Sequence, residues 1–434
     1  MNVDDARLIG LHTLGPIFTG WVHLVMRSAR SRQQERLLFI ARDGYFLKRV
    51  CASFLEGEGQ RDSPCLDYLH LSRRATLLAA DGEINAESIE ETLALRASPL
   101  TLAWLLECHG LTADRYLPVL DRVDLPAYTR VTSPQQGLKF LATPELASLV
   151  SDDAAEQRAA LLDYLVRDHG VGVVPGTLVD IGWRGTIQRK LSTLLSAEPG
   201  LKPPSGLYLG LWREDGAASA LPDNAEGLIG DLRRARSLRE SAPWQVALFL
   251  EAICRANEGT ARSFRLVDSR GTPILADNGT PARSAEMASN VVAEVVRQGI
   301  VEHVRQHGQE DVWRRSTSAA LRRDLQDRLL RLAFFPDANE IALGEQLVHT
   351  ESHDPVWSSP LILPRPSQSA LHVPRGWLAG LASPWRGGYV MATGRGAAHA
   401  YRILESLLIS LPPPWRQSLR RIALRQIDTQ SCSP

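Results

Sequence analysis

Cysteine is scarce in this chain. There are five in 434 residues, an odd number, and no CxxC pair among Cys51, Cys65, Cys108, Cys254 and Cys432. That excludes a disulfide framework and a zinc-finger-like site, and it fits a reducing cytoplasm. Net charge is also missing: Lys plus Arg and Asp plus Glu each number 49. This argues against a surface built throughout for nucleic acid. No run reaches the roughly 18 apolar residues of a membrane span. The first ten residues carry Asp4 and Asp5 and do not read as a secretory signal. Internal repeats and low-complexity tracts are lacking. The histidines offer no metal-ligand spacing. His109 and His169 are isolated, and His303 and His307, i and i+4 on a polar helix, read as a solvated face.

What is present suggests two or three structural units with a large core. Arginine greatly outnumbers lysine. Guanidinium forks suit phosphate and carboxylate recognition, although GC-rich coding raises arginine too. Short apolar strands at Leu37–Ile40, Leu66–Leu71, Gly176–Ile181 and Gly206–Leu211 alternate with amphipathic segments. Helices are predicted over Leu14–Arg30, from Phe46 to Phe54, from Thr186 through Leu195, and over Ala242–Ala256. Residues 85–170 are mostly helical and interrupt the strands. Beyond about Gly259 the pattern is helical again, over Ala285–His307, Asp311–Phe334, Gly396–Leu408 and Pro414–Gln426, with a Pro- and Trp-rich stretch from Asp354 to Gly388. The expectation is an α/β fold with a mainly parallel sheet flanked by helices, a helical insert, and a mostly helical C-terminal region. Residues 1–260 would form the α/β domain and 261–434 a second one.

Ligands bind beyond the carboxyl ends of parallel strands, and two polar loops fall there. In Val179–Gln188 an apolar strand runs into Asp180, then Gly182 and Gly185, then Thr186 opening a helix. Glycines let backbone N–H groups approach an anion. A helix N-terminus adds donors and partial positive charge, and Thr186 adds a hydroxyl. Asp180 suits sugar hydroxyls or a metal ion. The plain alternative is a tight turn with an N-capping threonine. In Ala41-Arg42-Asp43-Gly44, Arg42 points at the same edge. Its plain alternative is an ion pair with a nearby carboxylate.

Ser72-Arg73-Arg74 is a third strand-end loop, or else a solvated cationic pair. Glu251 lies on the otherwise apolar stretch Val246–Ile253, where a carboxylate needs a partner. That partner is either an arginine or the chemistry of a site. Trp357, Trp377 and Trp385 suit stacking on a sugar face or anchoring of the Pro-rich loop on the core. The final helix carries Arg416, Arg420, Arg421 and Arg425 beside Leu419, Ile422 and Leu424. It suits docking on an anionic membrane or on the protein itself.

In order along the chain, Gly15-Pro16-Ile17-Phe18, Phe39-Ile40-Ala41-Arg42-Asp43-Gly44-Tyr45-Phe46-Leu47, Leu71-Ser72-Arg73-Arg74-Ala75 and Val179-Asp180-Ile181-Gly182-Trp183-Arg184-Gly185-Thr186-Ile187-Gln188 resemble a bacterial family. That family is found in surface-polysaccharide clusters (O-antigen and capsule), often fused to or beside a haloacid-dehalogenase-like phosphatase. The likeness spans roughly residues 10 to 260, and its specificity lies in the set of motifs, not in one piece. Members look like type I phosphoribosyltransferases that move 5-phosphoribose from phosphoribosyl pyrophosphate onto a glycan. A phosphatase then leaves ribofuranose.

The resemblance implies that Arg42, Asp43 and Gly44 hold pyrophosphate and its magnesium ion. Asp180 would contact the ribose hydroxyls and, with Asp43, the metal. Ser72, Arg73 and Arg74 would contact the donor. Gly182, Trp183, Arg184, Gly185 and Thr186 would cradle the 5-phosphate. The catalytic carboxylates would be Asp43, Asp180 and Glu251, and the insert and residues 261–434 would supply the acceptor groove. The implied partners are the donor, a glycan acceptor that is free or lipid-linked at the inner face of the membrane, and a phosphatase, with no nucleic acid. The chain departs from the type I pattern in having one acidic residue before a shorter loop, where a pair is usual. It also lacks the phosphatase Asp-x-Asp-x-Thr motif, so the phosphatase would be a separate protein. Competing readings are a base-salvage phosphoribosyltransferase, a non-catalytic scaffold of a polysaccharide assembly complex, and a hydrolase.

Overall fold

The computed structural model describes residues 2–59, 63–94, 99–212, 223–234, 236–277, 279–350, 358–364 and 383–411. The chain runs through α1 (Gly15–Ser31), β1 (Arg36–Ile40), α2 (Gly44–Glu58), β2 (Cys65–Leu69) and α3 (Arg73–Asp81). Helices α4 to α8 (Ala86–Ala94, Leu102–Cys108, Ala113–Arg122, Pro134–Leu141 and Pro144–Asp163) form the insert. Then come β3 (Gly176–Asp180), α9 (Thr186–Ser196), β4 (Ser205–Leu211), β5 (Ala225–Asp231) and α10 (Ala247–Cys254). A hairpin of β6 (Ala261–Val267) and β7 (Arg270–Leu275) leads to α11 (Pro281–His307), α12 (Ser318–Phe334), α13 (Ala338–Gln346), α14 (Arg386–Thr393) and α15 (Arg395–Ser410).

The sheet is parallel throughout, in the order β2-β1-β3-β4-β5. Its central strands carry apolar runs, Leu37–Ile40 in β1 and Leu207–Leu209 in β4, because both faces are covered there. Side chains alternate, so Leu37 and Phe39 enter a core shared with α1, α2, α10 and α11, while Leu38 and Ile40 enter one shared with α3, α8 and α9. Each fully buried Leu or Phe contributes ~1.5–3 kcal/mol. A third core lies within the insert, where Leu105, Leu106, Tyr116 and Leu146 pack together. The fold is thus α/β with a parallel sheet, flanking helices and a helical C-terminal region. The largest core joins residues from both sides of position 260, Phe39 and Val179 with Val296, Leu325 and Tyr401.

Some elements differ from expectation. Strand β5 and the β6–β7 hairpin were not foreseen. The helix expected over Asp311–Phe334 is broken, because Ser316 is extended and the Thr317 side chain accepts from Ala320 N to cap a new helix. The helix expected over Ala242–Ala256 is interrupted at Val246. The helical stretch Val3–Ser31 is long and apolar enough to cross a membrane, contrary to the sequence reading. Yet 78% of its most apolar window is buried in the protein, with Ile17, Phe18 and Trp21 fully inaccessible. The helix expected over Pro414–Gln426, with Arg416, Arg420, Arg421 and Arg425, lies outside the described residues, as do Trp357 and Trp377. Trp385 is described and buried, in contact with Phe249, so it anchors its loop on the core.

Candidate functional site

The strand order reverses direction between β1 and β3, and in such sheets that switch point is where ligands bind. The loops after these two strands lie side by side there. Gly44 opens α2 directly beneath the first loop. A Cβ at Gly44 would come within 2.8 Å of the Phe39 backbone, so glycine alone lets the helix start so close to its strand. In the second loop Gly182 has φ +140°, and a Cβ would lie 2.2 Å from Gly210 O of β4. Gly185 is left-handed and ends the loop as the N-cap of α9, with no side chain capping that terminus. The N-terminus of α2 likewise has no side-chain cap at Asp43. Two helix ends with uncapped N–H groups therefore face one space. The Ala41–Arg42 and Gly182–Trp183 peptides in these loops are both cis.

That space is a cavity of about 420 Å³. Of the residues singled out from sequence, Arg42, Asp43, Ser72, Arg73, Asp180, Gly182, Trp183, Arg184, Gly185, Thr186 and Glu251 all line it. Gly44 lies beneath the loop, and Arg74 turns instead into a smaller neighbouring space. Ser72 is committed to structure: it caps α3 by accepting from Ala75 N at 3.0 Å and donates to Ala261 O at 2.6 Å. No insert residue is among the described lining of this cavity. His349 and Thr350 represent the C-terminal region.

Three carboxylates crowd the cavity. Burial, and next Glu251, push Asp43 up to about 7, against the pull of Arg42 and Arg255. Burial, and next Asp43, hold Asp180 well above the usual carboxylate range, although its Oδ1 accepts from Ile181 N at 2.8 Å. Glu251 accepts from Trp183 Nε1 at 2.6 Å. No arginine ion-pairs with Glu251 among the described residues, so the partner allowed for from sequence is the indole. Trp183 itself stands edge-on to Trp244, which stacks on Trp212.

Beside this acidic group lies a basic one that sequence reasoning missed. Glu286 on α11 is 2% exposed. Arg42 grips both its oxygens, at 2.7 and 2.9 Å. Arg255 Nε lies 2.8 Å from it and Arg283 pairs with it as well, while Thr350 donates to it at 3.2 Å. Burial pushes Glu286 up, but Arg42 and Arg255 outweigh it and hold the carboxyl below its ordinary value. Arg42 therefore lines the cavity while tethered to a carboxylate on its far side. The signal was present in α11: Arg283, Glu286, Asn290, Ala293, Arg297, Ile300 and Val304 follow the 3-4-3-4-3-4 spacing of a buried stripe. All seven are buried.

The histidine reading needs correction. His303 is buried and bonded to Thr19 Oγ1 at 2.9 Å. His109 is fully buried between Leu105 O and Ser88 Oγ. Both are satisfied core groups, because the faces bearing them pack on other elements.

Among the described residues no group of three or more His, Cys, Asp or Glu is placed to hold a metal ion. A magnesium ion shared with substrate phosphates needs only one or two protein carboxylates. Asp43 and Asp180, both raised first by burial, are hard oxygen donors that a cation would relieve. No family model matches the chain, and no curated protein does.

Proposed function

We propose that this chain is a glycan-directed phosphoribosyltransferase, moving 5-phosphoribose from phosphoribosyl pyrophosphate onto a sugar hydroxyl of a bacterial surface polysaccharide. One observation carries the reading. Two uncapped helix N-termini, the Gly182–Thr186 loop and three carboxylates meet in one cavity at the switch point of a parallel sheet. That combination offers anion donors on one side and proton acceptors on the other.

In this reading the α9 N-terminus, with Arg184 and Thr186, holds the 5-phosphate. Asp180 meets the ribose hydroxyls. Arg42 and the α2 N-terminus face the pyrophosphate. Magnesium held by Asp43 or Asp180 would neutralise charge on the leaving pyrophosphate. The acceptor oxygen forms its bond to carbon 1 as the bond to pyrophosphate breaks, on the face opposite the leaving group, which gives the β linkage. The hydroxyl proton passes to a carboxylate. With magnesium on Asp180, Asp43 is left to take it, since a group titrating near neutrality both accepts and releases a proton readily. Glu251 is held by the Trp183 N–H and orients the group around it.

The paired grip of Glu286 on Arg42 favours the second reading, a non-catalytic scaffold, because it occupies a guanidinium that pyrophosphate would need. Calorimetric titration with phosphoribosyl pyrophosphate and magnesium separates the two. The transferase reading expects binding that Asp180→Asn weakens by about tenfold or more, a loss of ~1.4 kcal/mol. No binding by the folded wild type would leave the scaffold reading standing.

A further inference from the structure

Arg74 is left without a counter-charge. It is 9% exposed, and its Nε and one terminal nitrogen are shut off from solvent with no hydrogen-bond acceptor. Arg262 on β6 is the strongest charged influence on it and has the same sign. Burial first, and Arg262 next, press Arg74 down to about 10. Cys108 and then Glu107, both on α5, pull the other way, but Glu107 ion-pairs with neither arginine among the described residues. A buried guanidinium is costly unless an anion completes it.

The two arginines line a cavity of about 40 Å³ with Ser72, Arg73 and Thr260. Those three residues also line the main cavity, so the spaces adjoin. The small one has room for a single oxyanion and not for a sugar ring. Its walls differ from those of the main cavity, because the insert approaches here. At the Gly110 turn, which follows α5, a Cβ would come within 2.6 Å of Arg262 O.

We infer that Arg74 and Arg262 form a second anion subsite, which takes one phosphate or carboxylate carried by the acceptor. The subsite stands on its own geometry. Its assignment to the acceptor rests on the transferase reading, in which the donor's phosphates are already met by Arg42 and by the Arg184–Thr186 loop. An acceptor would lay its reacting hydroxyl in the main cavity and its charged group between the two arginines.

The test titrates the full chain with inorganic phosphate and, separately, with acetate, with and without saturating phosphoribosyl pyrophosphate and magnesium. The expected result is one small-anion site that survives donor loading. Arg262→Ala should weaken it about tenfold or more, with donor binding unchanged. Arg74→Gln, checked by circular dichroism for folding, should weaken the small-anion site as well. The anion that binds more tightly names the class. The inference is overturned if neither anion binds, if donor loading abolishes binding, or if Arg262→Ala binds as well as wild type. Should the donor itself fail to bind, phosphate lost in Arg262→Ala but kept in Arg184→Ala still upholds the subsite, while the acceptor assignment falls with the transferase reading.

Discussion

Glu286 and Asp43 are both acidic neighbours of Arg42, and they live in opposite electrostatics. Glu286 is ringed by Arg42, Arg255 and Arg283 and is held ionised. Asp43 shares its surroundings with Asp180 and Glu251 and is pushed towards keeping its proton. Burial is the first influence on both and acts in the same direction. The sign of the neighbours decides the outcome. One carboxylate is thereby turned into a structural anchor and the other into a group that exchanges protons near neutrality.

The largest effect should come from breaking the anchor. Glu286→Gln keeps the shape but leaves three guanidiniums around a neutral group, which should cost ~3–5 kcal/mol in urea unfolding at pH 7. A loss within experimental scatter would mean that the arginines find other partners and that the cluster is not an anchor. Because the folded Glu286 titrates below its unfolded value, its stabilisation is present above about pH 4.5 and fades as pH falls through the folded value. The variant should therefore lose less stability on acidification than wild type does.

Next comes the proton-holding side. Asp43→Asn should lower turnover by ~10²–10⁴ if Asp43 takes the acceptor proton. Wild-type activity should rise with pH through a midpoint near 7 to a plateau at higher pH, and the variant's residual activity should be flat across that range. Stability should move the other way from Glu286. A carboxyl whose folded value is raised keeps its proton only in the folded state, so wild type loses stability between about pH 4 and 7. Asp43→Asn should remove Asp43's share of that decline and leave the share that buried Asp180 contributes. A wild type whose stability is level over this window would show that Asp43 is ionised throughout.

A smaller effect tests the cradle on the acidic side. Gly182→Ala forces a side chain into a φ of +140° and against Gly210 O. It should cost ~1–3 kcal/mol and weaken donor binding more than it lowers turnover at saturating donor. Equal binding by the variant would take the loop out of the donor site.

Much of the acidic side was legible in the sequence, and little of the basic side was. Strands β1 and β3 are buried on both faces, so they read as unbroken apolar runs, and the polar loops that follow stand out. Asp43, Asp180, Gly182 and Thr186 could be named for that reason. Strand β5 was not legible because Ala225-Glu226-Gly227-Leu228-Ile229-Gly230-Asp231 mixes glycine and acids with its apolar residues. Its Glu226 is held by Arg32, and Asp231 by Arg233. The β6–β7 hairpin hides behind exposed Arg265, Val267 and Arg270. Glu286 was not singled out, because it sits among the polar residues of a long helix, three positions after Arg283. Only the spacing of its whole stripe distinguishes a buried charge from an exposed one, and that spacing must be compared with an interior the sequence does not display.

The smallest change examines the link that holds Glu251 in the acidic group. Trp183→Phe retains an aromatic ring between the cavity and Trp244 but deletes the Nε1–H donor to Glu251. A hydrogen bond to a carboxylate is worth ~1.5–3 kcal/mol when half-buried, so thermal unfolding should drop modestly. The more telling readout is the pH profile. Glu251 is the second-largest influence raising Asp43, and the indole N–H is what keeps its carboxylate aimed there. Once released, Glu251 should turn towards solvent, and the activity midpoint near 7 should fall by up to about one unit as the repulsion weakens. A lowered stability with an unmoved midpoint would make Trp183 a packing residue alone. A moved midpoint would show that the loop cradling one end of the cavity also sets the proton affinity at the other.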